Sequence, residues 1–319
     1  MGVGFVVRKT LIDLTGPRRM LVLVVIGLLV PVLVALGWRW SLEAVQLSMD
    51  METQYVVGSF VTISFIWVAG FFLAFTVSAN AAGFVSKELA DGTLLPLVSK
   101  PISRRRIVLG KLAALVVNAV LLEAIILVLL ALILRFMLPM ETPTFVAVLS
   151  SIPWILLYSL LVVLVFGSIS LALSALIESQ VKIMVIVTVV VVFVFGFGLI
   201  IHAMGLSQDS YEQYHVYVVD MSYHLGNALV PTLEKATGSQ ILPAQHFESL
   251  QAFTGVMEGG REVAGLQWQY VSPSPQHWFR RSAELANHVN PVVSIVIWIA
   301  VFGASMWVGL RAMERKDVH

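Results

Sequence analysis

The chain contains no cysteine, which excludes disulfide frameworks, thiolate metal sites and thiol nucleophiles and leaves the redox compartment open. Charge is the second scarcity. Asp, Glu, Lys and Arg make up 12% of the 319 residues, where a soluble domain carries roughly a quarter. Net charge is +1, so bulk electrostatics point to neither nucleic acid nor an acidic partner. Also missing are HExxH, a nucleophile elbow and paired spanning histidines for haem. Gly110-Lys111 is followed by Leu112 and lacks the upstream glycine and downstream Ser or Thr of a phosphate loop. The chain carries no ATPase signature of its own.

What is present is apolar length. Apolar residues reach 58% and mean hydropathy is +0.90. A bilayer core takes about 20 mainly apolar helical residues, and six stretches qualify: Met20–Gly37, Val56–Ala79, Leu112–Leu134, Ile152–Ile177, Ile183–Met204 and Val292–Leu310. The expected fold is all-α and integral to the membrane, with six transmembrane helices. With both termini cytoplasmic, the inner side holds Arg8, Lys9, Arg18, Arg19, Lys87, Lys100, Arg104, Arg105, Arg106, Lys111, Lys182, Arg311, Arg315 and Lys316. The two short outer loops hold only Arg39 and Arg135. That bias sets the orientation.

Residues 1–19 read as an amphipathic interfacial helix, with Val3, Val7, Leu11 and Leu14 on one face, lying along the inner membrane surface. A signal peptide ending at Ala35-Leu36-Gly37 is the alternative, set against a long lead and an apolar run exceeding a usual signal core. Residues 20–204 then form five spans with an inner loop at 80–111, and residues 291–319 a sixth span and cytoplasmic tail. The segment 205–290 is extracytoplasmic and far longer than any other loop. Tyr211, Tyr214, Val218, Met221 and Leu225 recur there at helical spacing. Trp268, Tyr270 and Trp278 suit a membrane interface. His215, His224, His246, His277 and His288, with Met221 and Met257, raise copper as an option, but their spacings match no metal motif; surface and interface histidines are expected.

The inner loop carries most information. The helix Ala81–Ala90 is expected to stop at Asp91-Gly92, Pro96 and Pro101 prevent a continuous helix, and Ser103 can N-cap the segment leading to the third span. A basic loop held by anionic headgroups accounts for Arg104, Arg105 and Arg106. It does not account for Leu94, Leu95, Leu97 and Val98, an apolar cluster of the kind that marks a partner surface.

Glu88, then Gly92-Thr93-Leu94, Leu97, Ser99, Pro101, Ser103-Arg104 and Gly110-Lys111, in this order and spacing, resemble the signature of type-2 ABC exporter permeases. Leu171–Ser179 and the tail Glu314-Arg315-Lys316-Asp317-Val318 are similar to that family's fourth-span end and terminus. The long segment before the last span is similar to the NosY-like branch, which serves copper-site maturation of nitrous oxide reductase. The resemblance covers nearly the whole chain except 205–290. It implies a permease subunit in the plasma (inner) membrane of a prokaryote. Glu88, Gly92, Thr93, Leu94, Leu97, Ser99, Pro101 and Arg104 would form an ATPase-coupling loop. It implies no cofactor on this chain, ATP and Mg on a separate cytoplasmic ATPase, and a second permease chain, identical or related. Membrane lipids are further partners, and an extracytoplasmic partner is a further option. The alternatives are a non-transporting transmitter acting on such a partner, and an ion-coupled carrier or membrane enzyme using Glu123. That intramembrane carboxylate is a functional candidate by location; the competing reading is a packing role, hydrogen-bonded to Asn118 or Tyr158. Gly167, Ser170 and Ser174 read as a close-packing stripe, and Gly196 and Gly198 as interruptions of the fifth span.

Overall fold

A computed structural model describes residues 3–43, 49–90, 103–138, 140–203, 213–236 and 289–315. The described chain is helical throughout, without strands: α1 (Val3–Leu14), α2 (Pro17–Glu43), α3 (Met49–Ile63), a π-helical segment (Ser64–Phe72), α4 (Leu73–Ala90), α5 (Arg104–Met137), α6 (Thr142–Leu176), α7 (Gln180–Ala203), a 3-10 turn (Val216–Val218), α8 (Met221–Ala236) and α9 (Pro291–Arg315). Five helical stretches among the described residues are long and apolar enough to cross a membrane: Pro17–Gly37, Val56–Glu88, Arg104–Met137, Thr142–Leu176 and Pro291–Arg315. A shorter apolar stretch, Gln180–Phe195, belongs to α7.

Helices α5 and α6 have 34 and 35 residues, roughly 50 Å each at 1.5 Å per residue. They therefore extend past a hydrocarbon core of about 30 Å, and their ends reach where charged residues are hydrated. The apolar runs of the sequence mark only their middles. Thr142-Pro143 starts α6, a place where proline loses nothing because its N–H would be unpaired in any case.

The organising element is α6, which packs against α3, the π-helical segment, α4, α5, α7, α8 and α9. Phe166 shows how. Its ring stacks on Phe195 of α7 at 5.9 Å and lies 6.4 Å from Trp298 of α9. Polar glue accompanies the packing. Ser170 Oγ donates to the Ser78 carbonyl (2.6 Å) and Ser174 Oγ to the Ala82 carbonyl (2.8 Å). Ser174 Oγ also accepts from the backbone N–H groups of Val85 and Ser86. A Cβ on Gly167 would stand 3.0 Å from Leu115 Cδ2 and 3.2 Å from Val77 Cγ1. The stripe Gly167, Ser170, Ser174 is thus the α4–α6 seam, as small-residue packing requires.

Three local expectations change. Gly196 and Gly198 do not interrupt α7, which is helical from Gln180 to Ala203; neighbouring turns hold the backbone where two glycines alone would weaken it. The second span is not one smooth helix. It widens to π geometry over Ser64–Phe72, and Gly70 leaves helical dihedrals (φ −89°, ψ −105°). Glycine is needed there because a Cβ would meet the Phe65 carbonyl oxygen at 2.6 Å and the Phe195 ring at 3.0 Å. The buried residues of α1 are Val6, Thr10 and Leu14 rather than Val3, Val7 and Leu11. That face packs on α5, where Gly110 admits Val6: a Cβ on Gly110 would lie 3.1 Å from Val6 Cγ1.

Candidate functional site

Of the eight coupling-loop residues, Gly92, Thr93, Leu94, Leu97, Ser99 and Pro101 lie outside the described residues. Glu88 and Arg104 stand at the two flanks, and each is tied to the helix bundle. Glu88 sits in the last turn of α4. Its carboxylate accepts from Lys111 Nζ and lies 3.9 Å from Lys9 Nζ of α1. Lys111, only 3% exposed, also donates to the Phe84 carbonyl and lies over the Phe84 ring. A buried ammonium persists only when paired and hydrogen-bonded, and Glu88 together with that carbonyl meets the requirement. The pair fixes the end of α4 to the second turn of α5, so both helices flanking the loop move as one.

On the other flank Arg104 Nη1 donates to the carbonyls of Met313 (3.0 Å) and Glu314 (3.2 Å). These are among the last carbonyls of α9, which lack helical partners and carry the negative end of the helix dipole. Arg105 Nε adds a 2.5 Å contact to Glu314 Oε1. Ser103 occupies the N-cap position of α5 without a side-chain cap bond, contrary to the expectation for it. Its carbonyl accepts from the Ile107 N–H instead. The sequence pointed to Glu88 and Arg104 but not to their partners. Lys111 was visible as an isolated charge at the head of an apolar run, a position that calls for a counter-ion.

Glu123 is 1% exposed in the middle of α5. Among the described residues neither Asn118 nor Tyr158 donates to it; Ser159 Oγ of α6 donates to Glu123 Oε1, while Oε2 has no partner. The adjacent Tyr158 packs edge-on against Phe65 at 5.3 Å. Successive residues of α6 therefore meet the carboxylate on one side and the π-helical segment on the other. Glu123 and Ser159 lie about four to five turns from the short connection between α5 and α6, which was the available sequence signal for pairing them.

A third polar cluster joins α8 to the bundle. Asp220 Oδ1 accepts from the Tyr223 N–H at 3.1 Å, an N-cap bond opening α8. His224 Nε2 lies 3.0 Å from the Val218 carbonyl and Nδ1 3.0 Å from Ser294 Oγ. Asn227 Nδ2 donates to Ser294 Oγ (2.9 Å) and to the Val289 carbonyl (2.7 Å). A carbonyl can only accept, so His224 carries its proton on Nε2 and Nδ1 accepts from the Ser294 hydroxyl. Both ring nitrogens are committed, and His224 is 3% exposed. It is a structural histidine, not the surface residue expected. Among the described residues no group of three or more His, Asp or Glu could hold a metal ion; His246, His277 and His288 lie outside them. The expected stripe from Tyr211 to Leu225 is not one helix: Tyr214 and Val218 precede α8 and are exposed, and Tyr211 lies outside the described residues. Ser222 Oγ further donates to the Val194 carbonyl of α7.

The geometry is therefore that of a helical bundle without a catalytic constellation in its described part, whose α4–α5 connection is clamped on both flanks. No curated protein matches the chain. Residues 6–318 match the family described as ABC-2 family transporter protein. The chain belongs to that family: it is a multi-pass membrane permease component of an ABC transporter, and the family implies association with a cytoplasmic ABC ATPase.

Proposed function

We propose that this ABC-2 family chain is the membrane-spanning subunit of an ATP-driven exporter, driven through its 80–111 loop by a separate ATPase chain that carries ATP and Mg. In this reading the chain crosses a prokaryotic plasma membrane six times, with α7 completing the set and both termini cytoplasmic. Residues 1–19 lie at the inner interface and 205–290 outside, and a second permease chain, identical or related, completes the pathway. The long segment before the last span supports a place for it in the NosY-like branch.

The observation that carries the reading is the double clamp. Glu88–Lys111 and Arg104 with the end of α9 tie both flanks of the loop to α4, α5 and α9. A push on Gly92–Pro101 thus reaches α4. From α4 it passes to α6 through the Ser170 and Ser174 bonds, and α6 touches every other spanning element except α2 among the strongest contacts. Tightly packed helices transmit displacement because their interiors are nearly incompressible.

The experiment reconstitutes the chain with its ATPase and compares wild type, Glu88→Ala and Gly92→Pro. Coupling through the loop predicts that both variants still assemble but lose most ATP-driven activity. Full activity in both would refute the loop assignment.

A second reading has one observation in its favour. Helix α8, within 205–290, packs against α6, α7 and α9, so motion of α6 would also displace the outer segment and act on a partner there without transport. Deleting 237–288 separates the two: loss of partner binding with ATPase coupling intact favours transmission, and loss of substrate movement alone favours transport.

A further inference from the structure

Beneath the α1–α2 corner lies a cleft of about 460 Å³ lined by α1, α2, α4, α5 and α7. Four cations, Lys9, Arg19, Lys87 and Lys111, face it against two acids, Asp13 and Glu88. Glu88 is already engaged by Lys111 and Lys9. Arg19 is steered inward by its bond to Asn80 Oδ1, and the amide of Gln180 lines the opposite wall beside Gly83. The cleft thus presents an excess of N–H donors and positive charge, which suits a phosphate ester better than any neutral solute. Its setting identifies the source of the phosphate. Directly after Arg19, α2 exposes Leu21 (66%), Val22 (54%) and Val25 (58%), an apolar strip that begins where the cationic wall ends. A charged head in the cleft with two acyl chains along that strip satisfies both surfaces. Because α2 is itself a span, the strip faces the bilayer and the cleft opens at the level where lipid headgroups lie.

We propose that this cleft binds the phosphate headgroup of an anionic phospholipid, seated between α1 and α4 with its acyl chains along α2. The site follows from the membrane placement of the chain and does not depend on the coupling reading. Occupancy would brace α1 and α4 at the Glu88 flank of the loop.

The test uses the full chain with the subunits that co-purify, exposed in detergent to equal amounts of dioleoyl phosphatidylglycerol and dioleoyl phosphatidylcholine, with retained lipid read by native mass spectrometry. Wild type is expected to retain phosphatidylglycerol about tenfold over phosphatidylcholine, and Arg19→Gln/Lys87→Gln to lose that preference. Arg106→Gln, an exposed charge outside the cleft, should leave it unchanged. Because Arg19 also bonds Asn80, Lys87→Glu alone serves as a second variant; it spares that bond and should lower the preference severalfold. Equal retention of both lipids by wild type overturns the proposal. So does an equal loss in R106Q, which would mean diffuse surface charge. Displacement of the lipid by millimolar inorganic phosphate or glycerol phosphate would assign the cleft to a soluble ligand and overturn it equally.

Discussion

Lys111 and Glu88 illustrate how burial sets the worth of a single residue. Lys111 is nearly inaccessible, whereas the Glu88 side chain is 21% exposed, so the two deletions are unequal. Glu88→Ala strands an ammonium with one carbonyl for company and should destabilise the chain by about 2–3 kcal/mol. Lys111→Met leaves a partly hydrated carboxylate still near Lys9 and should cost less. The double variant should therefore be more stable than Glu88→Ala alone, a sign reversal that denaturant or thermal melts in detergent can read. Glu123 is a different case. Glu123→Gln keeps an acceptor for the Ser159 hydroxyl but puts an amide NH2 at the unpartnered Oε2 position, so it should cost no more than about 1–3 kcal/mol. Ser159→Ala removes the hydrogen bond to that carboxyl and should cost about 1 kcal/mol. If E123Q folds normally yet abolishes transport, the carboxyl belongs to an ion pathway rather than to packing. The chemistry of these residues was legible from the sequence; their partners were not, because Ser159 and Lys111 are distant in the chain and ordinary in type.

Among the elements, the spanning helices were legible wherever an apolar run decided them, as with Leu112–Leu134 inside α5. Their ends were not. Helices continue past the hydrocarbon as long as caps and tertiary contacts hold them, which is why α6 starts ten residues before its apolar run at Ile152. The kink at Gly70 was also hidden, since nothing in SFIWVAGFF distinguishes π from α geometry before Phe65 and Phe195 crowd the glycine. Gly70→Ala should destabilise by about 1–3 kcal/mol through overpacking, and a melt lacking that drop would show that the kink relaxes freely. For α1, amphipathicity alone indicated a helix at a surface, but the buried face is set by the gap that Gly110 leaves. Gly110→Leu should expel α1 from α5. The chain has no cysteine, so Val6→Cys provides a single probe: protected from a thiol reagent in the parent, reactive when Gly110 is filled.

At the scale of the whole molecule, seven packed elements among the described residues converge on α6, and in the proposed reading the loop between α4 and α5 is where an external push would enter that assembly. The loop signature could be read from residue order alone because glycine, proline and capping positions are local. The way it is held could not, because the clamp draws on α1 and α9, far apart in the chain. The most direct measurement places a photoreactive group on a cysteine substituted at Leu94 in the otherwise cysteine-free chain, within membranes of cells that make it. Cross-linked products are then identified by mass spectrometry. The account predicts a dominant adduct with a separate cytoplasmic chain carrying a phosphate-loop ATPase, weakened by Glu88→Ala. Adducts only with lipid, or with no ATPase chain, would contradict it.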